Sequence, residues 1–202
     1  MSAYALRALV AQVLARDDLA WRHHGIGVLQ AYIRENVEPE VRIHVWHPDL
    51  VRPGIRESGA VHDHRFNLRS TVVVGEIRET LFHTHDRATR LDWQPWHVQN
   101  ARAAGAERAF DADCHPLGDP VGVKKEHRVH HAGSTYQLDR HVFHETVVEE
   151  LTITVCTMFR KEGQARLLVP VGKEPVHAFG GPVPIDAMSR VFKEARAALE
   201  VA

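Results

Sequence analysis

Cysteine is almost missing from this chain. There are two, Cys114 and Cys156, far apart and in no CxxC pair. They offer neither a disulfide framework nor a cysteine zinc site. No excess of either charge exists: 25 Lys and Arg face 26 Asp and Glu, with a pI near 7.0. That balance is unlike a dedicated nucleic-acid binder and unlike an acidic disordered tail. No apolar run approaches the ~20 residues that span a bilayer. The first residues form an amphipathic pattern rather than a charged stretch followed by an apolar one, which predicts no secretory signal and a cytoplasmic protein. No repeat recurs at solenoid periods. What is left, 44% hydrophobic and 25% charged over 202 residues, is an ordinary globular composition, with length enough for a core without staples and for one domain over residues 1–202.

Histidine is what the sequence has in excess. Sixteen are spread from His23 to His177, so they are no terminal tag. Imidazole is the commonest metal ligand and titrates near neutrality. The count therefore points to a metal site without placing it.

Hydrophobic spacing sets out the plan. Residues 3–20 read as a helix, with Leu6, Leu9, Val10, Val13 and Leu14 as its stripe, ended by His23, His24, Gly25 and Gly27. A second short helix or an extended segment covers 28–36, within an N-terminal helical region over 1–36. From 41 to 82 the period becomes two: Val41 to Trp46 alternates, and Pro48, Pro53, Gly54 and Gly59 mark a loop. His62 to Val74 then alternates, with His62, His64, Phe66, Leu68, Ser70 and Val72 on one face and Asp63, Arg65, Asn67 and Arg69 on the other. Such a strand has one dry and one wet face and ends at Gly75. Glu76 to Phe82 forms the next strand. Residues 84–128 read as a loop-rich insertion or lid, in which Trp93, Pro95 and Trp96 suggest a packed loop, 100–110 a helix and 114–123 turns. Strands return at 129–138, 142–148, 151–159 and 166–171 within a barrel region over 40–172. Pro182 and Pro184 precede a last helix over 185–199, with Asp186 in its first turn and Ile185, Met188, Val191, Phe192, Ala195 and Leu199 as its stripe. Helix, many antiparallel strands, helix is the pattern of an all-β barrel or jelly roll with terminal helices.

The chemistry gathers at His62-Asp-His64. Two histidines at i and i+2 on a strand project to one side, about 6–7 Å apart, and both can reach one ion at ~2.1 Å. A third ligand must come from another strand facing the same interior. His144, which shares a face with Val142 and Thr146, is the first candidate. His141 is its rival, on the opposite parity if the strand already runs through it.

The run Gly59-Ala-Val-His62-Asp-His64, with Gly75 eleven residues on and a later strand block holding an isolated histidine, resembles the two motifs of the cupin superfamily. The glutamate of the first motif falls on Leu68; the proline, glycine and asparagine of the second fall on Asp139, His141 and Val148. The local run His62-Asp-His64 with Val74 to Phe82 is similar to the thiol dioxygenase branch, typified by cysteine dioxygenase. That branch binds Fe(II) through three histidines and no carboxylate, which suits leucine at 68. Its late Ser-x-His-x-Tyr element has no counterpart in Thr152 to Phe159. The resemblance implies a cupin-type double-stranded β-helix, a three-histidine metal site of His62, His64 and His144, and a homodimer.

Three neutral imidazoles on Fe(II) leave positions for a bidentate substrate and O2. The expected function is a metal-dependent cupin, an Fe(II) dioxygenase acting on a small thiol- or carboxylate-bearing molecule, with no nucleic-acid or membrane partner. The alternatives are a cupin isomerase, epimerase or lyase using Zn, Ni or Mn as Lewis acid, and a non-catalytic metal- or ligand-binding cupin. Phe66, Leu68, Ser70 and Val72 would line a mostly apolar pocket. Tyr136 is a candidate donor to a bound substrate, against a packed ring with a wet tip. Arg42, Arg56 and Arg78 are equal candidates to hold a carboxylate. His44 is a candidate second donor behind the metal ligands, and Cys156 reads as a small core hydrophobe. His83 and His85 read as a strand-end loop, and Lys124 to Arg128 as a solvated one. His130 and His131, being adjacent, point to opposite faces. His23, His24, His97, His115, His127 and His177 read as surface or packing residues.

Overall fold

The protein is seen in a computed structural model that describes residues 3–51, 53–86, 90–99, 113–176 and 185–200. In chain order, α1 spans Ala3–Leu14, β1 Arg22–His24, β2 Ile26–Arg34, β3 Glu40–Val51, α2 Ile55–Ser58, β4 Asn67–Val74, β5 Glu76–His85 and β6 Trp93–Gln99. Then β7 spans Asp113–Pro116, β8 Gly122–His131, β9 Thr135–Leu138, β10 Phe143–Val147, β11 Thr152–Phe159, β12 Arg166–Pro170 and α3 Ile185–Glu200.

Four antiparallel pairings nest inside one another. β5 pairs with β8, β4 with β9, the lone bridge residue His62 with His144 of β10, and β3 with β11. These paired segments thus form one long antiparallel ribbon folded back on itself. β11 also pairs with β4 and β10 with β5, which rolls the ribbon into two facing sheets. This is the jelly-roll, double-stranded β-helix winding, and the fold class is the expected one: all-β with a helix at each end. One sheet runs β1-β2-β3-β11-β4-β9. The other joins β10-β5-β8 to β12-β6-β7 through His62, which bridges both His144 and Leu167.

Strand alternation divides the core. Ile43, Val45, Val73 and Ile153 point outward, where α1 and α3 cover them with Val10, Val13, Leu14, Val191, Ala195 and Leu199. The inward side chains form two apolar clusters. One holds Phe66, Leu68, Leu81, Leu138, Cys156 and Met158; the other holds Val28, Trp46, Val72, Ile77 and Val148. Among the described residues, no helix is long and apolar enough to cross a membrane.

Several local expectations are corrected. α1 stops at Leu14 rather than 20. Aspartate near a helix C-terminus opposes the helix dipole, and Asp18 instead accepts a fork from Arg16 at 2.9 and 2.7 Å. Leu9, assigned to the helix stripe, is exposed. His23, His24 and Gly25 do not merely end a helix: β1 and β2 form a hairpin about Gly25, and of the two readings of 28–36, helical or extended, the extended one holds through Arg34. β3 runs on through Pro48, where a loop was expected. Among the described residues, only β2 pairs with this part of β3, across a register shift between Ile26 and Val28, so the missing N–H of Pro48 falls outside regular pairing. Gly27 sits at that shift with φ 99, where a β-carbon would stand 2.7 Å from Val51 Cγ2.

The expected strand over 62–74 is a bridge at His62, a bend, and β4 from Asn67. The stretch 129–138 is the end of β8 and all of β9, split by a turn at Gly133 (φ 87) that carries the chain between sheets. Within 84–128, Trp93 to Gln99 is a strand, β7 replaces part of the turn-rich segment, and Lys124 to Arg128 lies in β8. His83 and His85 likewise lie in β5, exposed as expected though not in a loop. The helix expected at 100–110 lies outside the described residues.

Candidate metal centre

His62 and His144 face each other across a reciprocal backbone pair, with His62 N donating to His144 O at 3.0 Å and His144 N to His62 O at 2.9 Å. Directly opposed residues share a face of a sheet. His64 follows two positions on, its carbonyl accepting from His141 N at 2.8 Å. One potential ligand atom from each of His62, His64 and His144 lies within 4.8 Å of the others.

The rings are set as ligands of one ion would be. With a metal–nitrogen distance of about 2.1 Å, ring centres of two imidazoles would stand ~4.5 Å apart at a right angle and ~5.2 Å apart at the tetrahedral angle. The observed separations are 4.9, 4.6 and 4.8 Å. His62 donates from Nδ1 to Ala60 O at 2.9 Å, and His144 from Nδ1 to Val142 O at 3.1 Å. A proton fixed on Nδ1 leaves the Nε2 lone pair free, the tautomer a metal needs. Burial pushes the pKa of all three below the ordinary histidine range. His144 falls to about 3, from burial first and then from His62. For His64 burial leads, and His144, His62, Arg42 and His24 add to it. For His62 burial outweighs the hydrogen bond to Ala60. The donor set is neutral, convergent and oriented, and it fits a divalent metal.

His141, the rival third ligand, is turned away. It takes a left-handed turn conformation (φ 64), and its Nδ1 lies 3.6 Å from Asp63. Asp63 was expected on a wet face, yet it is only 1% exposed. It accepts from Arg166 Nε and from the Arg166 backbone N–H, each at 2.6 Å. This anchor ties the HxH bend to β12.

Around the trio, Phe66 stacks on His64 at 4.7 Å, and the Arg42 guanidinium stands 5.6 Å from the Phe66 ring. Arg42 donates to Gln30 Oε1 at 3.2 Å and to the Tyr32 hydroxyl. Its Nε is buried with no partner among the described residues. Leu68, Ser70 and Val72 line the inner face of β4 and are buried. The other two arginines lie elsewhere. Arg56 is exposed on α2, and Arg78 is exposed and tied to Glu76 and Glu149, both at 2.8 Å.

Tyr136 points inward and stacks on His130 with ring centres 3.9 Å apart. Its hydroxyl bonds Ser70, and burial pushes its pKa up. Among the described residues, no hydrogen bond or ring contact joins it to the trio. Cys156 is buried as expected, but it is not merely a hydrophobe. Its sulfur donates to Ser70 Oγ at 3.3 Å and lies 3.3 Å from His44 Nδ1. Burial and then Arg42 lower His44 to about 3.

Spacing missed four residues around the trio. His24 is buried, its ring centre 6.1 Å from that of His62; β1 has three residues, too few to show alternation. Asp63 and Arg166 pair across 103 positions of sequence, which no local pattern reports. Glu79 is buried on the inner face of β5, and the parity it shares with Ile77 and Leu81 is the signal that marks it as inward.

No protein-family model and no curated protein matches the chain. Solved structures of similar shape exist. The Drosophila melanogaster CENP-C cupin domain is 12% identical, with a TM-score of 0.37 over 70% of this chain and 76% of that one. Hydroxypropylphosphonic acid epoxidase from S. wedmorenis is 12% identical, with a TM-score of 0.39 over 71% of this chain and 56% of that one. Oxalate decarboxylase of Bacillus subtilis is 8% identical, with a TM-score of 0.40 over 91% of this chain and 37% of that one. The chain thus spans little more than half of the epoxidase's length, and likenesses this distant carry neither activity nor substrate to it.

Proposed function

We propose that this chain is a cupin-superfamily protein that binds a divalent metal, Fe(II), through His62, His64 and His144, and acts as a dioxygenase on a small carboxylate- or thiol-bearing molecule. The observation that carries the reading is the convergence of three neutral imidazoles, two with Nδ1 fixed on carbonyls and Nε2 left free. A bound ferrous ion would supply the redox chemistry and open coordination positions. The chain's own residues do the rest. Arg42 is the preferred of the three arginines for an anion. It lies beyond Phe66 from His64, with a buried Nε to offer, and a bidentate guanidinium suits a carboxylate. Phe66 and Leu68 keep the approach dry. Tyr136 acts from the barrel wall rather than on the metal.

The test is metal analysis of protein purified without added metal, followed by O2 uptake with thiols, diketones and dihydroxy-aromatic acids. Bound iron with O2 consumption in one class is the expected result. Iron-loaded protein that consumes no O2 with any class ends the dioxygenase reading. An all-imidazole donor set also suits zinc and nickel, so native zinc or nickel would favour the isomerase or lyase reading.

A further inference from the structure

The barrel interior is not uniformly apolar. Between its two apolar clusters lies a polar belt. On the larger sheet the belt is a single register row: Tyr136 opposite Ser70, Ser70 opposite Cys156, and Cys156 opposite Arg42. On the facing sheet its member is Glu79, between Ile77 of one cluster and Leu81 of the other. The Glu79 side chain is 1% exposed, and its Oε2 lies 3.4 Å from His130 Nε2. His130 stacks flat on Tyr136, at 3.9 Å and 9°, so its ring cannot swing away without losing that face.

Register relates this pair to the trio. On β10, His144 is opposite Leu81 and Thr146 is opposite Glu79. Glu79 is therefore the diagonal neighbour of His144 on the same inward face, a separation of about 7–8 Å that long side chains can bridge. No hydrogen bond or ion pair joins Glu79 to the trio among the described residues. A buried carboxyl at such a place costs stability unless it has a partner or a use. The charged groups facing it are His130, Arg128 and Glu126 from β8; Tyr136 lies on β9 and Thr146 on β10. Burial pushes Glu79 above the usual carboxylate range, and His130 and Arg128 pull it back.

We propose that Glu79 and His130 form a proton-accepting pair serving the three-histidine centre, taking up the proton that an acidic ligand gives up on binding there. The ligand's O–H or S–H bond breaks, and the ligand keeps the electron pair. The proton moves to the Glu79 carboxylate, whose Oε2 faces His130 Nε2. The arriving negative charge raises the pair's proton affinity, which favours the transfer. The inference rests on the metal-site reading above.

The probe is acetohydroxamic acid, which loses one proton when it chelates a metal, added to zinc-loaded protein at pH 7. Calorimetry in buffers of different ionisation enthalpy counts the protons reaching solvent. Wild type is expected to release far less than one per probe bound. Glu79→Gln and His130→Phe, the latter keeping a ring on Tyr136, are each expected to release about one. Equal release from wild type and both variants overturns the proposal. If the variants do not fold, infrared spectra of wild type labelled with 13C-glutamate decide. A protonated-carboxyl stretch that appears with the probe and shifts with the label supports the pair, and no such band overturns it. Zinc stoichiometry is measured first, so a chain that holds no zinc fails at the metal site itself, separably from a failure of Glu79.

Discussion

The carboxylate of Asp63, the residue between two candidate ligands, accepts from both the backbone N–H and the side-chain Nε of Arg166, at 2.6 Å each. The two histidines face inward and the aspartate between them holds the bend from behind. Breaking a buried pair strands its partner, at a cost of about 3–5 kcal/mol. Arg166 retains 25% side-chain exposure, so Asp63→Ala is expected near the low end, a loss of ~3 kcal/mol. Denaturant unfolding measures it. Metal affinity should also fall by roughly 10-fold, the usual effect of loosening a support behind a ligand. A variant with unchanged stability and affinity would show that the bend is held without Asp63.

Replacing the trio tests the assignment directly. His62→Ala, His64→Ala and His144→Ala should each take bound metal from about one per chain to near zero, since two imidazoles rarely retain an ion that needs three or four ligands. His141→Ala should keep full stoichiometry, because its ring faces Asp63. Loss of metal in His141→Ala with retention in His144→Ala would reverse the choice of third ligand.

Acid should destabilise the apoprotein through its buried histidines. His44 and His144 fall to about 3, and His62 and His64 are also lowered. Unfolded histidine titrates near 6.5. Below that value the unfolded chain binds protons the folded chain refuses, so stability falls as pH drops, by up to about 1.4 kcal/mol per pH unit per histidine. The contribution is whole above pH ~6.5 and is lost towards ~3. Glu79, whose pKa is raised, works the other way just above the usual carboxylate range. Unfolding curves between pH 7 and 4 should show this slope, and His144→Asn should reduce it by about one histidine's share. Zinc, by competing with protons for the trio, should shift the acid transition downward.

What the sequence showed follows the range of each interaction. Period-two alternation placed His62, His64, Leu68, Ser70 and Val72 on one inward set because inward and outward strand positions differ in polarity. The same argument failed at Asp63, where a buried carboxylate has a partner, Arg166, far along the chain. It failed again at β8, whose residues are mostly exposed, so Lys124 to Arg128 carry no alternation to read. The nested pairing that brings β10 to His62 is non-local. Face-sharing with Val142 and Thr146 singled out His144, and the cupin resemblance joined it to His62 and His64, but spacing did not show that they meet.

Gly75 links β4 to β5 at the crossing between the two sheets, with φ 78. A β-carbon there would stand 2.5 Å from Leu151 O and 2.5 Å from Thr152 Oγ1. Thr152 Oγ1 also donates to Glu76 O at 3.0 Å, so it cannot withdraw freely. Gly75→Ala therefore combines left-handed strain of roughly 1–2 kcal/mol with a clash against backbone. A total loss of at least ~3 kcal/mol is expected. Gly118 is the internal comparison: it has φ 65 and nothing within 4 Å of its would-be β-carbon. Gly118→Ala should lose only the conformational part, ~1 kcal/mol. Equal losses at the two positions would mean that the crossing at Gly75 relaxes around an added methyl, and that the turn does not depend on glycine for space.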